Sequence, residues 1–235
     1  MKPLFWLLPS LVLSSPSHTR SNQWKAPLLP TIKNITASGS GCPPNTIATI
    51  QSADLTTLTL GFDAYQAFAG PDFDPTLAQR DCLIRVEIEN ALSRRRGNDV
   101  IAEVTMHGFA QLDVGSGSIL TTQYQLPQMC RQKPIRGVST QTDVDAETDL
   151  STGVVYTKTD TVPLRAGKGR KRKTDILFIR TTVDVFVGRA GGSGTMTIDD
   201  LTIALKPRSN VGVTTSGEGP DAKSGEIRLE LGEPN

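Results

Sequence analysis

Asp143, Asp145, Glu147 and Asp149 recur at every second residue. In an extended strand that spacing sets four carboxylates on one face. Unpaired, they repel one another, and a hard cation with oxygen ligands, calcium first, would relieve the repulsion. The run lacks the glycine of a standard calcium loop, so a solvated polar edge is the competing reading. Asp72 and Asp74, in Gly70-Pro71-Asp72-Phe73-Asp74-Pro75, form a second acidic group that Asp and Pro turn chemistry also explains. Paired carboxylates are the equipment of glycoside hydrolysis. A carboxylate-based extracellular hydrolase is therefore one functional expectation.

Residue types prune the other catalytic classes. Between residues 41 and 206 there is a single histidine, His107, at a strand end beside Gly108. A Ser-His-Asp triad in this region could use only that histidine, and no Gly-x-Ser-x-Gly elbow occurs. Ser116, in Gly115-Ser116-Gly117-Ser118, reads as hairpin-turn geometry rather than a nucleophile. Zinc or copper centres built from paired histidines lack ligands. The chain has three cysteines, Cys42, Cys82 and Cys130, so any intramolecular bridge leaves one thiol over.

Two basic clusters, Arg94-Arg95-Arg96 and Arg170-Lys171-Arg172-Lys173, lie between strand-like segments and beside glycines, which reads as two hairpin loops. They are solvated turns, dibasic cleavage sites, or loops that bind an anionic partner such as an acidic glycan.

The elements that must position these groups are strands. Leu58, Leu60 and Phe62 share a face, as do Cys82, Ile84, Val86 and Ile88, with polar residues between them. Val100 to Met106, Ile176 to Ile179, Val183 to Val187 and Met196 to Leu205 repeat the pattern, and Thr152 to Leu164 follows it loosely. Turn residues separate these runs and no helical period appears, which points to an antiparallel β-sandwich, with jelly-roll-like and Ig-like topologies both open. The expected organisation is a signal peptide over 1–17, a mobile arm over 18–40, the sandwich over 41–206 and a low-complexity tail over 207–235.

The N-terminus has the order of a secretory signal: Lys2, then an apolar run, then Ser15-Pro16-Ser17. The run is shorter than the ~20 residues that span a bilayer. Asn34-Ile35-Thr36 is a glycosylation acceptor, useful on a secreted surface. Removing residues 1–17 takes one of 25 basic residues and leaves 24 of each sign. Such a balance gives no reason to expect a nucleic-acid partner. The expectation is a released extracellular protein with no membrane span.

The stretch from Gly41 to Glu89 also resembles a known family. Gly41-Cys42-Pro43, Leu58-Thr59-Leu60 with Phe62 and Tyr65, Gly70-Pro71 and Arg80-Asp81-Cys82 occur in order, followed by Gly108, Leu112-Asp113-Val114-Gly115 and Gly194-Thr195-Met196-Thr197. Together, over roughly residues 35–206, they are similar to the fungal secreted family called domain of unknown function 4360. The resemblance implies a signal peptide and a β-rich extracellular domain, and no activity. Where that family carries a late Cys-Gly, this chain has Gly169-Arg170-Lys171-Arg172-Lys173, and its third cysteine is Cys130. Cys42 and Cys82 both sit in the matched core, which favours their pairing; a bridge from Cys130 to either is the rival.

The functional expectation is a secreted, non-catalytic protein that binds an extracellular glycan or protein surface at the cell wall or on a host. The hydrolase, with calcium as its one conceivable cofactor, is the first alternative. The second is an effector or inhibitor presenting its basic loops to a protein partner.

Overall fold

The computed structural model describes residues 29–90, 100–126, 137–145, 150–164, 174–188, 191–207 and 227–230. Alternating apolar residues give two antiparallel sheets whose apolar faces meet. One has five strands: β1 (Thr31–Ser38), β5 (Gln79–Glu89), β10 (Thr174–Val187), β7 (Ser116–Gln125) and β8 (Gly137–Asp145), in that spatial order. The other follows β13 (Ile227–Glu230), β9 (Leu150–Leu164), β6 (Val100–Leu112), β12 (Asp200–Pro207), β3 (Thr57–Phe62) and β2 (Ile47–Gln51). β11 (Gly194–Thr197) joins it by pairing with both β6 and β4 (Gln66–Ala69).

The core is what the alternation predicts. Ile84, Val86 and Ile88 from β5, and Leu177, Ile179 and Val183 from β10, face Ala102, Val104 and Met106 from β6 and Leu201 and Ile203 from β12, all buried. Each large apolar side chain so buried contributes about 1.5–3 kcal/mol. A slip of one residue would turn the whole set to solvent, so the register is fixed.

The β3 and β5 segments lie in opposite sheets, since alternation marks an inward face without naming a neighbour. Three expectations need correction. Thr31–Ser38 is a strand rather than part of an arm, its pattern broken by a bulge between Ile32 and Asn34. Within the tail, Ile227–Glu230 pairs with β9 through Ile227↔Lys158 to Glu230↔Val155. The segments holding the basic clusters are not hairpins, because 91–99 runs from β5 to β6 and 165–173 from β9 to β10, each crossing between sheets.

Two contacts of the Tyr65 side explain family-like residues. Tyr65 hydroxyl bonds to Thr181 O and Thr181 Oγ1, both at 2.8 Å, which ties the two sheets together. A Cβ on Gly41 would stand 2.3 Å from the Tyr65 ring, so only glycine lets Cys42 approach. A Cβ on Gly108 would meet Thr197 O at 2.1 Å, which closes that position too.

Candidate functional site

Cys42 and Cys82 are bonded to each other and buried, linking the β1–β2 connection to β5. Asn34 is exposed on β1, an edge strand, with its Oδ1 accepting the Ile35 N–H at 2.9 Å. Cys130, Arg94, Arg95, Arg96, Arg170, Lys171, Arg172, Lys173, Glu147 and Asp149 lie outside the described residues.

The acidic run is not one strand. β8 ends at Asp145 and β9 begins at Leu150, so of the four only Asp143 and Asp145 belong to β8. β8 is the edge of its sheet, and Asp143 is exposed there, accepting from Gln141 Nε2 at 2.8 Å. Charges on an edge strand discourage pairing with another chain. Among the described residues no group of three or more His, Cys, Asp and Glu is arranged to hold a metal ion.

Asp74 caps the 3-10 turn Pro75–Leu77, accepting the Thr76 N–H at 2.8 Å, and that bond holds its carboxyl below the usual range. Its role is turn chemistry. Ser116 is not in the turn but opens β7, facing inward. His107 points outward from β6, where its Nδ1 lies 2.8 Å from Asp200 Oδ1. An exposed pair of this kind contributes ~0–1 kcal/mol.

What the sequence reading missed lies inside. The inward row of β9 reads Val154, Tyr156, Lys158, Asp160, Val162, Leu164, and Lys158 and Asp160 are only 1% and 4% exposed. Lys158 Nζ donates to Thr140 Oγ1 at 2.6 Å and to Asp160 Oδ2. The same carboxylate oxygen accepts from Tyr124 OH at 2.7 Å and Thr140 Oγ1 at 2.9 Å. Asp160 Oδ1 is buried with no partner among the described residues. Burial pushes the Lys158 ammonium below its usual range, against the pull of Asp160. Burial, and then the Asp160 charge, push Tyr124 well up. Lysine, aspartate and tyrosine in contact could move protons, and all three are buried among the described residues. The chemistry of the set is internal: it holds β7, β8 and β9 together across the sandwich. The available signal was Lys158-Thr159-Asp160, two charges on the inward register of an otherwise apolar alternation.

All three tyrosines of the chain, Tyr65, Tyr124 and Tyr156, are buried, and burial raises each phenol above its ordinary value. Above about pH 10 the unfolded chain releases these protons while the folded one keeps them, so stability falls as pH rises. Three such groups give a slope approaching ~4 kcal/mol per pH unit. Tyrosinate absorbance is expected to appear together with unfolding in a single step. A gradual rise centred near pH ~10 with the fold intact would contradict the burial.

These features define a class: a two-sheet β-sandwich tied by the Cys42–Cys82 disulfide, with the Lys158–Asp160 pair buried inside. The chain belongs to the family described as Domain of unknown function (DUF4360), which matches residues 29–215. No functionally curated protein matches the chain. Among solved structures, one of infectious bursal disease virus Gx strain is 12% identical over 89% of this chain and 37% of that one, with a TM-score of 0.26. A family two carbohydrate esterase from Cellvibrio japonicus is 13% identical over 74% of this chain and 35% of that one, with a TM-score of 0.19. The chain thus spans little more than a third of either, and at these scores neither informs the fold or the site. No helix among the described residues is long and apolar enough to cross a membrane.

Proposed function

We propose that the chain is a secreted, non-catalytic binding protein of fungal origin that engages an anionic glycan of the cell wall or a host surface. Residues 1–17 act as its signal and Asn34 carries its glycan. The observation that supports this reading is a convergence of strand ends. Glu89, which ends β5, pairs with Thr174, which begins β10. Val100, which begins β6, pairs with Leu164, which ends β9. The junction from β7 to β8 opens toward the same end, since Gln125 pairs with both Phe178 and Gly137. The three segments that leave and re-enter there, 91–99, 127–136 and 165–173, hold twelve Lys and Arg against one acid, Asp99. The β2–β3 turn at that end adds Asp54. In a chain with 25 basic and 24 acidic residues overall, twelve of the basic ones thus fall in connections whose flanking strand ends lie together.

Such a concentration attracts polyanions over about 10 Å at ~0.1 M salt and over only ~3 Å at ~1 M. The chain, secreted from a eukaryotic host, is expected to stay on an insoluble uronic-acid polysaccharide at low salt and to elute as salt rises, without releasing soluble sugar. Retention on neutral chitin, β-glucan and cellulose is expected to be weaker by at least about tenfold. Equal retention on all four, or sugar release, would overturn the reading.

A further inference from the structure

We propose that the interior between β7, β8 and β9 binds a file of buried water molecules, held by a column of side-chain oxygens that the described residues leave unpaired. Ser116 Oγ, Ser118 Oγ, Thr142 Oγ1 and Asp160 Oδ1 are all buried without a hydrogen-bond partner among the described residues. Their residues are 3%, 0%, 3% and 4% exposed. Such atoms are rare in folded proteins, and each calls for a partner. The fifth of them, Thr195 Oγ1, lies on β11 in the other sheet and stands outside the column.

The strand register makes the four a continuous set. Ser116 and Ser118 are two residues apart on β7 and share its inner face. Ser118 pairs with Val144, and Leu120 with Thr142, which sets Ser118 and Thr142 diagonally across the β7–β8 ladder. Diagonal neighbours stand about 7–8 Å apart, too far for a direct bond between two short hydroxyls and suited to a bridging water. Thr142 follows Thr140 by two residues on the inner face of β8. Thr140 Oγ1 donates to Asp160 Oδ2 at 2.9 Å, so the column arrives at the carboxylate whose other oxygen is unpaired.

Energy and charge select the occupant. Four bare oxygens would together offset a large share of the stability of a domain, so they are not left bare. A cation has little to attract it, because Asp160 already has Lys158 as its counter-charge and the other three groups are neutral hydroxyls. An anion would meet the Asp160 carboxylate. Water is neutral, both donates and accepts, and when buried typically makes about three hydrogen bonds to groups otherwise unsatisfied. The file also has a direction. The three hydroxyls can donate or accept, whereas an ionised Asp160 Oδ1 only accepts, so the last water turns a hydrogen toward it. Tyr124 OH and Lys158 Nζ do not compete for that place, since both are already directed to Asp160 Oδ2.

The test is magnetic relaxation dispersion of water on the full chain, which counts waters held for longer than the protein tumbles. It is run beside urea midpoints for Thr142→Val and Ser118→Ala, which remove one hydroxyl each at little change in volume. The parent is expected to hold at least about two long-lived waters. Each variant is expected to hold fewer and to unfold at lower urea, because a water that loses an anchor leaves its other partners unpaired. In a dry interior the same substitutions delete an unpaired hydroxyl, and the midpoints would stay or rise. No long-lived water in the parent, a count that neither variant changes, or midpoints that do not fall would overturn the proposal.

Discussion

Asp160→Ala alone is expected to cost about 3–5 kcal/mol of stability, and Lys158→Ala a similar amount, because either change leaves a buried charge without its partner. The loss would be read as a drop in the urea midpoint with little change in slope. Each single change strands more than the opposite charge. Without Asp160, Tyr124 OH and Thr140 Oγ1 lose the acceptor they share. Without Lys158, the carboxylate keeps two hydroxyl donors but no cation. Removing the whole set is expected to be far milder. Lys158→Met with Asp160→Leu and Tyr124→Phe fills similar volume with apolar atoms, and such replacements are often neutral or stabilising by ~1–4 kcal/mol. The non-additivity is the signature: a strong coupling term between positions 158 and 160 marks a pair that acts as a unit. Single variants within about 1 kcal/mol of the parent would mean that the pair is solvated in solution.

Removing the disulfide by Cys42→Ala with Cys82→Ala is expected to cost ~4 kcal/mol, the loop-entropy value for a sequence separation of 40. The bond joins the connection ahead of β2, in one sheet, to β5 in the other, so it fastens the two layers to each other. Both cysteines are buried, so the two alanines also leave a small void in the core, which adds to the cost. A denaturation midpoint for the double variant within about 1 kcal/mol of the parent would show that the sandwich core alone fixes this corner.

The strands were legible wherever one face is purely apolar. β3, β5, β6 and β12 alternate without interruption, and each was read from that period. β10 read as two strands because Thr181 takes an inward position; its polarity is met by Tyr65, more than a hundred residues away. β9 read loosely for the same reason, with Lys158 and Asp160 in the inward row. β1 was lost to its bulge, and β4 is four residues long with two alanines. Local period reports which side chains turn inward. It does not report which strand lies alongside, so neither the passage from β5 to β6 between sheets nor the convergence of the strand ends that flank the basic segments could be read from spacing. The buried network failed for the same physical reason: its members come from β7, β8 and β9, and nothing in their separate neighbourhoods announces the meeting.

The central claim is that one end of the sandwich does the binding. It is tested most directly by comparing two charge-neutralised variants of the chain on the uronic-acid polysaccharide at low salt. One replaces Arg94, Arg95 and Arg96 with Gln. The other replaces Arg80, which lies at the opposite end of β5, and Arg180, which lies midway along β10, with Gln. The account predicts that the first loses retention by about tenfold or more while the second stays close to the parent, since only local charge is felt beyond ~10 Å at ~0.1 M salt. Equal losses would mean that retention follows overall charge, and a larger loss in the second would move the binding surface to the outer face of the five-stranded sheet.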